Sequence, residues 1–124
     1  MSQGKIILAV IVVVVVLFIA FGIWNRSQPG AYDAFAQCLA DEGATFYGAY
    51  WCPHCGDQKE LFGNSERLLP YQECSTPDGR GQIALCNEAG VESYPTWHFA
   101  DGSIETGVLS LQTLAEKTSC ELPQ

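Results

Sequence analysis

The stretch Ala44-Thr45-Phe46-Tyr47-Gly48-Ala49-Tyr50 runs directly into Trp51-Cys52-Pro53-His54-Cys55. The first part is rich in β-branched and aromatic residues, which predicts a buried strand. The second part predicts the start of a helix, because proline is favoured at the first helical position. Cys52 and Cys55 would then lie on one helical turn, close enough to form and break a disulfide. At the helix N-terminus, free N–H groups and the macrodipole favour a thiolate at Cys52. The pattern therefore indicates thiol–disulfide exchange.

A long apolar run precedes this motif. Residues 6–24 are 19 uncharged, almost wholly apolar positions, and a helix of that length spans about 28 Å, close to the thickness of a bilayer core of about 30 Å. We interpret this run as a transmembrane anchor after a short N-terminal segment, residues 1–5. A cleaved signal peptide is the alternative, with Ala20-Phe21-Gly22 as its small-x-small site, but apolar regions of signal peptides are usually shorter.

The linker, residues 25–30, is polar and reaches only about 20 Å when extended, so the domain predicted for residues 31–124 would stay near the membrane. From Gly30 onward the chain carries four basic residues and all fourteen carboxylates. This acidic balance argues against nucleic acid as a partner. Six cysteines beside an anchor or export segment indicate an oxidising, extracytoplasmic compartment. We expect a single-pass protein of the cytoplasmic membrane with its C-terminal domain outside.

The remaining periodicities predict an α-βα-β-α-ββ-α order. Helical spacing begins at Tyr32 and ends at Gly43, a second strand follows Pro70, and a short helix covers 82–89. Asp101-Gly102 separates two short strands as a hairpin turn, and Ser110 can cap a last helix. A parallel βαβ unit followed by a hairpin predicts a small mixed sheet with helices on both faces, an α/β sandwich.

With these motifs in place, the sequence resembles the thioredoxin fold. The Cys52–Cys55 motif follows a strand, and Tyr94-Pro95-Thr96 lies about forty residues downstream, just before the hairpin. The resemblance implies that Pro95 forms a cis peptide bond beside the active disulfide. It also implies that substrate peptides lie along this loop, with Trp51, Tyr94 and Thr96 forming an apolar rim. Trp51 could equally be a half-buried packing residue.

Residues from about Tyr32 to Pro123 are most similar to the thioredoxin-like domain attached to bacterial homologues of vitamin K epoxide reductase. The matching segments are 43–63, 70–74, 94–97 and 107–111. This resemblance implies that the domain passes disulfides to exported, cysteine-containing proteins and is reoxidised by a membrane enzyme of that type. This sequence has one anchor helix where those proteins have a four-helix membrane enzyme.

The family pattern implies roles for individual residues. Cys52 would be the exposed nucleophile, Cys55 the buried resolving thiol, and Pro53 the residue that begins the helix between them. His54 would stabilise the Cys52 thiolate and make the disulfide more oxidising, unless it is an exposed bystander. Many thioredoxins have a buried aspartate six residues before the first cysteine.

This chain has Phe46 at the position of that aspartate, and Glu73 is a candidate substitute. An ordinary carboxylate at the end of a strand is the alternative for Glu73.

Two readings of the cysteine pair compete with redox chemistry. One is an inert structural disulfide. The other is a copper- or zinc-handling site made of Cys52, Cys55 and either His54 or His98, although a second Cys-x-x-Cys is absent from the sequence. His98 alternates with aromatic residues in a strand, which favours a structural role.

Four further cysteines allow three pairings. Cys74 and Cys86 bracket a turn-rich loop and are the preferred pair, which leaves Cys38 and Cys120 to join the two ends of the domain. We expect both bonds to be structural, with the alternative that Cys74–Cys86 relays electrons to the Cys52–Cys55 pair. The resulting hypothesis is a membrane-anchored protein-disulfide oxidoreductase, working in the oxidising direction, with no metal and no cofactor beyond its own redox disulfide. A reductase or isomerase of the same fold is the alternative.

Overall fold

The computed structural model describes residues 1–124. Five α-helices and four strands alternate along the chain. The helices are α1 (Gln3–Arg26), α2 (Asp33–Asp41), α3 (Pro53–Glu60), α4 (Ala84–Glu88) and α5 (Leu111–Thr118). The strands are β1 (Thr45–Gly48), β2 (Tyr71–Glu73), β3 (Thr96–His98) and β4 (Ile104–Thr106), and a 3₁₀ helix covers Gly63–Leu68.

The four strands form one mixed sheet in the order β2-β1-β3-β4. Strand β1 is parallel to β2, with Phe46 opposite Tyr71, and antiparallel to β3, with Phe46 opposite Trp97. Strand β4 is antiparallel to β3 and closes the hairpin. The mixed α/β fold predicted from the sequence is confirmed, with its parallel βαβ unit and its hairpin.

Apolar side chains cover both faces of this sheet. Phe46 and Tyr47 are consecutive in β1, so their side chains point to opposite faces. Phe46 belongs to the large core, a cluster of 14 buried residues that includes Trp97 and the inward sides of α2, α3 and α5. Tyr47 packs on a smaller cluster around Cys74 and Cys86. Strand β1 is therefore covered on both faces, which fixes the position of the loop that follows it.

Helix α1 is long and apolar enough to cross a membrane. It contains an 18-residue window with a mean hydropathy of 3.6, and its side chains are exposed to solvent along its length. The helix continues through Asn25 and Arg26, two residues that the sequence analysis placed in the linker. Residues 27–32 separate it from α2.

Local signals in the sequence explain several element ends. Gly43 follows α2 with a φ of 80°, a left-handed conformation that glycine adopts without steric cost. The Ser110 hydroxyl accepts a hydrogen bond of 3.0 Å from the Thr113 N–H and caps α5, as predicted. The 3₁₀ helix at Gly63–Leu68 was not predicted; it fills the connection between α3 and β2.

Candidate active site

The end of β1 and the start of α3 position the two central cysteines. Cys52 is the N-cap of α3 and has an extended backbone, and Pro53 occupies the first turn. The Cys52 N–H donates to the Ala49 carbonyl over 3.0 Å, which holds the tight connection between strand and helix. Both cysteines are free thiols, and their residues are 9% and 2% exposed for Cys52 and Cys55 respectively. Both residues are thus buried, so Cys52 is not the exposed residue expected from the sequence, although it is the more exposed of the two.

A second loop approaches Cys52 from far along the chain. The Cys52 thiol donates to the Tyr94 carbonyl over 3.7 Å, and the Tyr94–Pro95 peptide bond is cis. Pro95 itself is fully buried. Thr96, expected on the rim, is buried as well, and its hydroxyl donates to the Ser93 carbonyl over 2.7 Å. The structure therefore brings Cys52 and the Tyr94–Pro95 peptide together, while the Thr96 side chain is used within the loop.

Trp51 forms the exposed side of the site. Its side chain is half exposed, and its indole N–H donates to the Ser75 hydroxyl over 3.0 Å. Its ring meets the Tyr94 ring edge-on, with the ring centres 5.9 Å apart. The neighbouring Tyr50 hydroxyl donates to the Pro77 carbonyl. Trp51 thus packs on Tyr94 and keeps a large exposed surface at the same time.

Cys55 lies in a different environment from Cys52. Burial is the main effect that raises the pKa of the Cys55 thiol to about 12, and it outweighs the hydrogen bond from the Ala49 backbone, which lowers that pKa. The neighbouring Cys52 raises the Cys55 pKa further, and Lys59 lowers it slightly. At neutral pH Cys55 is therefore a thiol, and it must lose a proton before it can attack a disulfide.

Sequence reasoning missed one component beside Cys55, the Tyr71 hydroxyl. This hydroxyl donates to Glu73 Oε2 over 2.8 Å, and Glu73 Oε1 accepts from the backbone N–H groups of Tyr50 and Ser75. The pKa of Tyr71 is raised, first by burial and then by the hydrogen bond to Glu73. Tyr71 follows Pro70 in a short strand and resembles an ordinary core aromatic, so only its neighbours in the fold reveal its position.

The two histidines lie apart from this arrangement. His54 is exposed, and its Nδ1 lies 3.3 Å from Asp57 Oδ2, one turn along α3. His98 lies in β3 with its ring tilted over Tyr47, and its Nε2 is buried without a hydrogen-bond partner. Across the chain, no three His, Cys, Asp or Glu side chains are grouped so that they could hold a metal ion.

The other four cysteines form two disulfides. Cys38 is bonded to Cys120 and Cys74 to Cys86, which are the pairs preferred from the sequence. The sulfurs of Cys74 and Cys86 lie in fully buried residues. The Cys74–Cys86 bond closes the loop whose Ser75 and Pro77 hold Trp51 and Tyr50, so it lies next to the exposed side of the site.

One comparison with known proteins supports thiol–disulfide chemistry. No family model matches the chain. The chain is similar to a protein of Arabidopsis thaliana named thiol-disulfide oxidoreductase LTO1, with 41% identity over 105 residues. The match covers 81% of this chain but only 27% of that protein, so the chain spans about a quarter of its relative's length. The structure is a mixed α/β fold built on a four-stranded sheet, and the similarity to a protein named thiol–disulfide oxidoreductase supports redox chemistry at the cysteines.

Proposed function

We propose that this protein is a membrane-anchored thiol–disulfide oxidoreductase that forms disulfides in exported, cysteine-containing proteins. The observation that carries the proposal is the difference between the two cysteines. Cys52 lies at a helix N-terminus with its thiol against the Tyr94 carbonyl, whereas Cys55 is almost fully buried one turn further along. A pair whose first cysteine is the more exposed and lies at a helix N-terminus suits a reaction that passes through a mixed disulfide on that cysteine.

In the proposed cycle, a substrate thiolate attacks Cys52 in the Cys52–Cys55 disulfide, and Cys55 leaves. A second substrate thiolate then attacks the substrate sulfur of the mixed disulfide and releases Cys52. The substrate gains a disulfide and the enzyme is left with two thiols, which is the state of the structure. A disulfide-bearing partner must afterwards restore the bond. Trp51 and the Tyr94–Pro95 peptide would contact the substrate chain around the reacting sulfur.

The proposed location follows from α1 and the cysteine content. A helix long enough to span the bilayer, followed by residues 27–32, would keep the domain close to the membrane surface. The two disulfides fit an oxidising compartment outside the cytoplasmic membrane. The proposed recycling partner is a membrane enzyme of the vitamin K epoxide reductase type, since the domain must exchange electrons within reach of its anchor.

Trapping tests the proposed reaction. In the full chain with Cys55→Ala, no Cys55 thiol can displace a partner from Cys52, so we expect Cys52-linked adducts with disulfide-bearing partners that disappear on reduction. Cys52→Ser is the matched control and should trap none. Mass spectrometry of the adducts would identify the disulfide-bearing recycling partner. An inert pair would give no adduct in either variant.

The direction of electron flow has its own measurement. We expect a reduction potential of the Cys52–Cys55 pair well above the value of about −270 mV that is typical of thioredoxin. His54→Ala should lower that potential if His54 stabilises the reduced form, whereas His98→Ala should leave it unchanged. A potential near −270 mV for the unmodified protein would instead indicate a reductase.

A further inference from the structure

The side chains of Cys55 and Tyr71 both lie close to the backbone of Gly48, the last residue of β1. A Cβ atom at Gly48 would lie 3.0 Å from Cys55 Sγ and 3.3 Å from the Tyr71 hydroxyl oxygen. It would also lie 2.8 Å from Tyr71 Cε2, which is closer than real Cβ contacts. The absence of a side chain at Gly48 therefore lets the Tyr71 hydroxyl and the Cys55 sulfur approach the same point of the backbone.

The proton on Cys55 needs an acceptor near this point. Only 2% of Cys55 is exposed, so bulk water has little direct access to its thiol. The position six residues before Cys52 is Phe46, an apolar residue that is fully buried and has no group to accept a proton. Tyr71 and Glu73 are the oxygen-bearing side chains on the other side of Gly48, and a hydrogen bond of 2.8 Å joins them.

We propose that Tyr71 and Glu73 form the proton relay that deprotonates Cys55 when it resolves a mixed disulfide. This inference rests on the proposed function, because the relay serves the step in which a disulfide-bearing partner recharges the Cys52–Cys55 pair. In this relay the Tyr71 hydroxyl, which donates to the Glu73 carboxylate, would accept from the Cys55 thiol during the resolving step.

The step balances in protons and electrons. The Cys55 proton passes to the Tyr71 oxygen as the original Tyr71 proton passes to Glu73 Oε2. The freed electron pair on the Cys55 sulfur forms the bond to Cys52 Sγ, and the bond between Cys52 and the partner sulfur breaks. The partner leaves as a thiolate, Cys52 and Cys55 become a disulfide, and Glu73 returns its proton to solvent. The partner disulfide, reduced overall to two thiols, is the oxidant.

The charged and titratable groups around Cys55, Tyr71 and Glu73 favour proton transfer from Cys55 toward Glu73. On α3, the Lys59 ammonium lies 3.8 Å from the centre of the Tyr71 ring and favours negative charge on Cys55. On the loop before β3, burial and the charges of Glu73 and the cysteines raise the pKa of Tyr94, which keeps this second phenol neutral. Glu73 accepts from the backbone N–H groups of Tyr50 and Ser75, which position its carboxylate.

The test follows the two halves of the reaction separately. The reduced full chain in detergent is mixed with oxidised glutathione, quenched with acid at set times and analysed by mass spectrometry. Attack by Cys52 appears as a glutathione adduct, and resolution by Cys55 appears as the loss of that adduct. We expect Tyr71→Phe and Glu73→Gln to form the adduct at the normal rate but to resolve it about 100-fold more slowly. The double variant should be no slower than either single variant.

The pH profile distinguishes a relay from a packing role. Without Tyr71, Cys55 must lose its proton to solvent, so the resolution rate in Tyr71→Phe should rise about tenfold per pH unit. The unmodified protein should show a much shallower rise over the same range. Tyr47→Phe is the matched control, since Tyr47 is also a sheet tyrosine but lies on the opposite face; it should match the unmodified protein in both halves.

Two results would overturn the relay. One is a resolution rate in Tyr71→Phe within about twofold of the unmodified protein. The other is slow resolution with an unchanged pH profile, which would mean that Tyr71 only packs against Cys55. Failure of the unmodified protein to form any Cys52 adduct would contradict the proposed function itself. Normal adduct formation in a variant shows that its site is folded.

Discussion

The buried side chain of Gln58, in the middle of α3, holds the indole of Trp97 in the central strand β3. Gln58 Oε1 accepts from Trp97 Nε1 over 3.1 Å and from the Leu109 N–H over 2.8 Å, and Gln58 Nε2 donates to the Leu109 carbonyl over 3.0 Å. Both Gln58 and Trp97 are completely buried. One amide thus ties the helix that carries the cysteines to the sheet and to the segment before α5.

Gln58→Leu should destabilise the protein by at least about 2 kcal/mol, because it leaves buried polar groups of Trp97 and Leu109 without partners. Urea unfolding followed by tryptophan fluorescence measures this. Gln112→Leu, at an exposed position of α5, is the matched control and should change stability by less than about 0.5 kcal/mol. Equal effects of the two substitutions would show that the Gln58 hydrogen bonds contribute nothing.

Two glycine substitutions should act in opposite directions. Gly48→Ala places a methyl group against Tyr71 and Cys55, and we expect a loss of about 1–3 kcal/mol in unfolding free energy. Gly56 lies in α3, and a Cβ atom there would meet open space. Gly56→Ala should therefore raise the free energy of unfolding by about 0.5–1 kcal/mol through its higher helix propensity. Thermal unfolding of both variants checks the pair, and a stabilising Gly48→Ala would contradict the close approach.

Asp33 should make stability depend on acid pH. Two hydrogen bonds from the Arg67 guanidinium are the main reason that the Asp33 pKa lies far below its ordinary value of 3.8, and Ser65 and the Gly30 N–H add to the effect. A carboxyl whose pKa is lower in the folded state contributes stability above its unfolded pKa and loses it as the pH falls. This contribution therefore declines below about pH 4.

The comparison is between unfolding curves at several acid pH values for the unmodified protein and for Asp33→Asn. The variant should be less stable at neutral pH and should lose less of its remaining stability on acidification. Asp41→Asn, at a carboxylate that accepts from Gln37 at the end of α2, is the control. Parallel curves for the unmodified protein and Asp33→Asn would argue against the Arg67 pair as the source.

The two structural disulfides should contribute unequally. The Cys38–Cys120 bond spans 82 residues of sequence and the Cys74–Cys86 bond spans 12. In the chain-entropy model, loss of the Cys38–Cys120 bond lowers the free energy of unfolding by about 4.5 kcal/mol, and loss of the Cys74–Cys86 bond lowers it by about 3 kcal/mol. Paired alanine substitutions and urea unfolding give both values. If the Cys74/Cys86 variant kept its stability but lost turnover, the electron-relay alternative would gain support.

Local chemistry made much of the fold predictable. Pro53 at the start of a helix, Gly43 after another and Asp101-Gly102 between two strands each act through backbone geometry that neighbouring residues determine. The cysteine pair was predictable for the same reason, since its spacing places both sulfurs on one helical turn. These features depend on a few consecutive residues and little else.

Polar residues that the fold buries could not be recognised in the same way. Gln58 lies among Gly56, Asp57 and Lys59 in a helix with a polar sequence, and nothing local distinguishes it from an exposed glutamine. Its burial depends on Trp97, 39 positions away. Tyr71 and Glu73 likewise gain their positions from the parallel pairing of β2 with β1, which brings Tyr71 beside Gly48 and Cys55.

The Cys38–Cys120 bond turns most of the domain into a covalent ring. The Cys52–Cys55 motif, both hairpin strands and the Cys74–Cys86 loop all lie inside that ring, whereas α1 is attached to it as a tail. A protease that cuts one exposed loop between Cys38 and Cys120 therefore leaves both fragments joined to each other and to α1. The two fragments stay covalently linked until a reductant breaks the Cys38–Cys120 bond. Whether a cleaved molecule loses its C-terminal fragment therefore depends on the redox state of its surroundings.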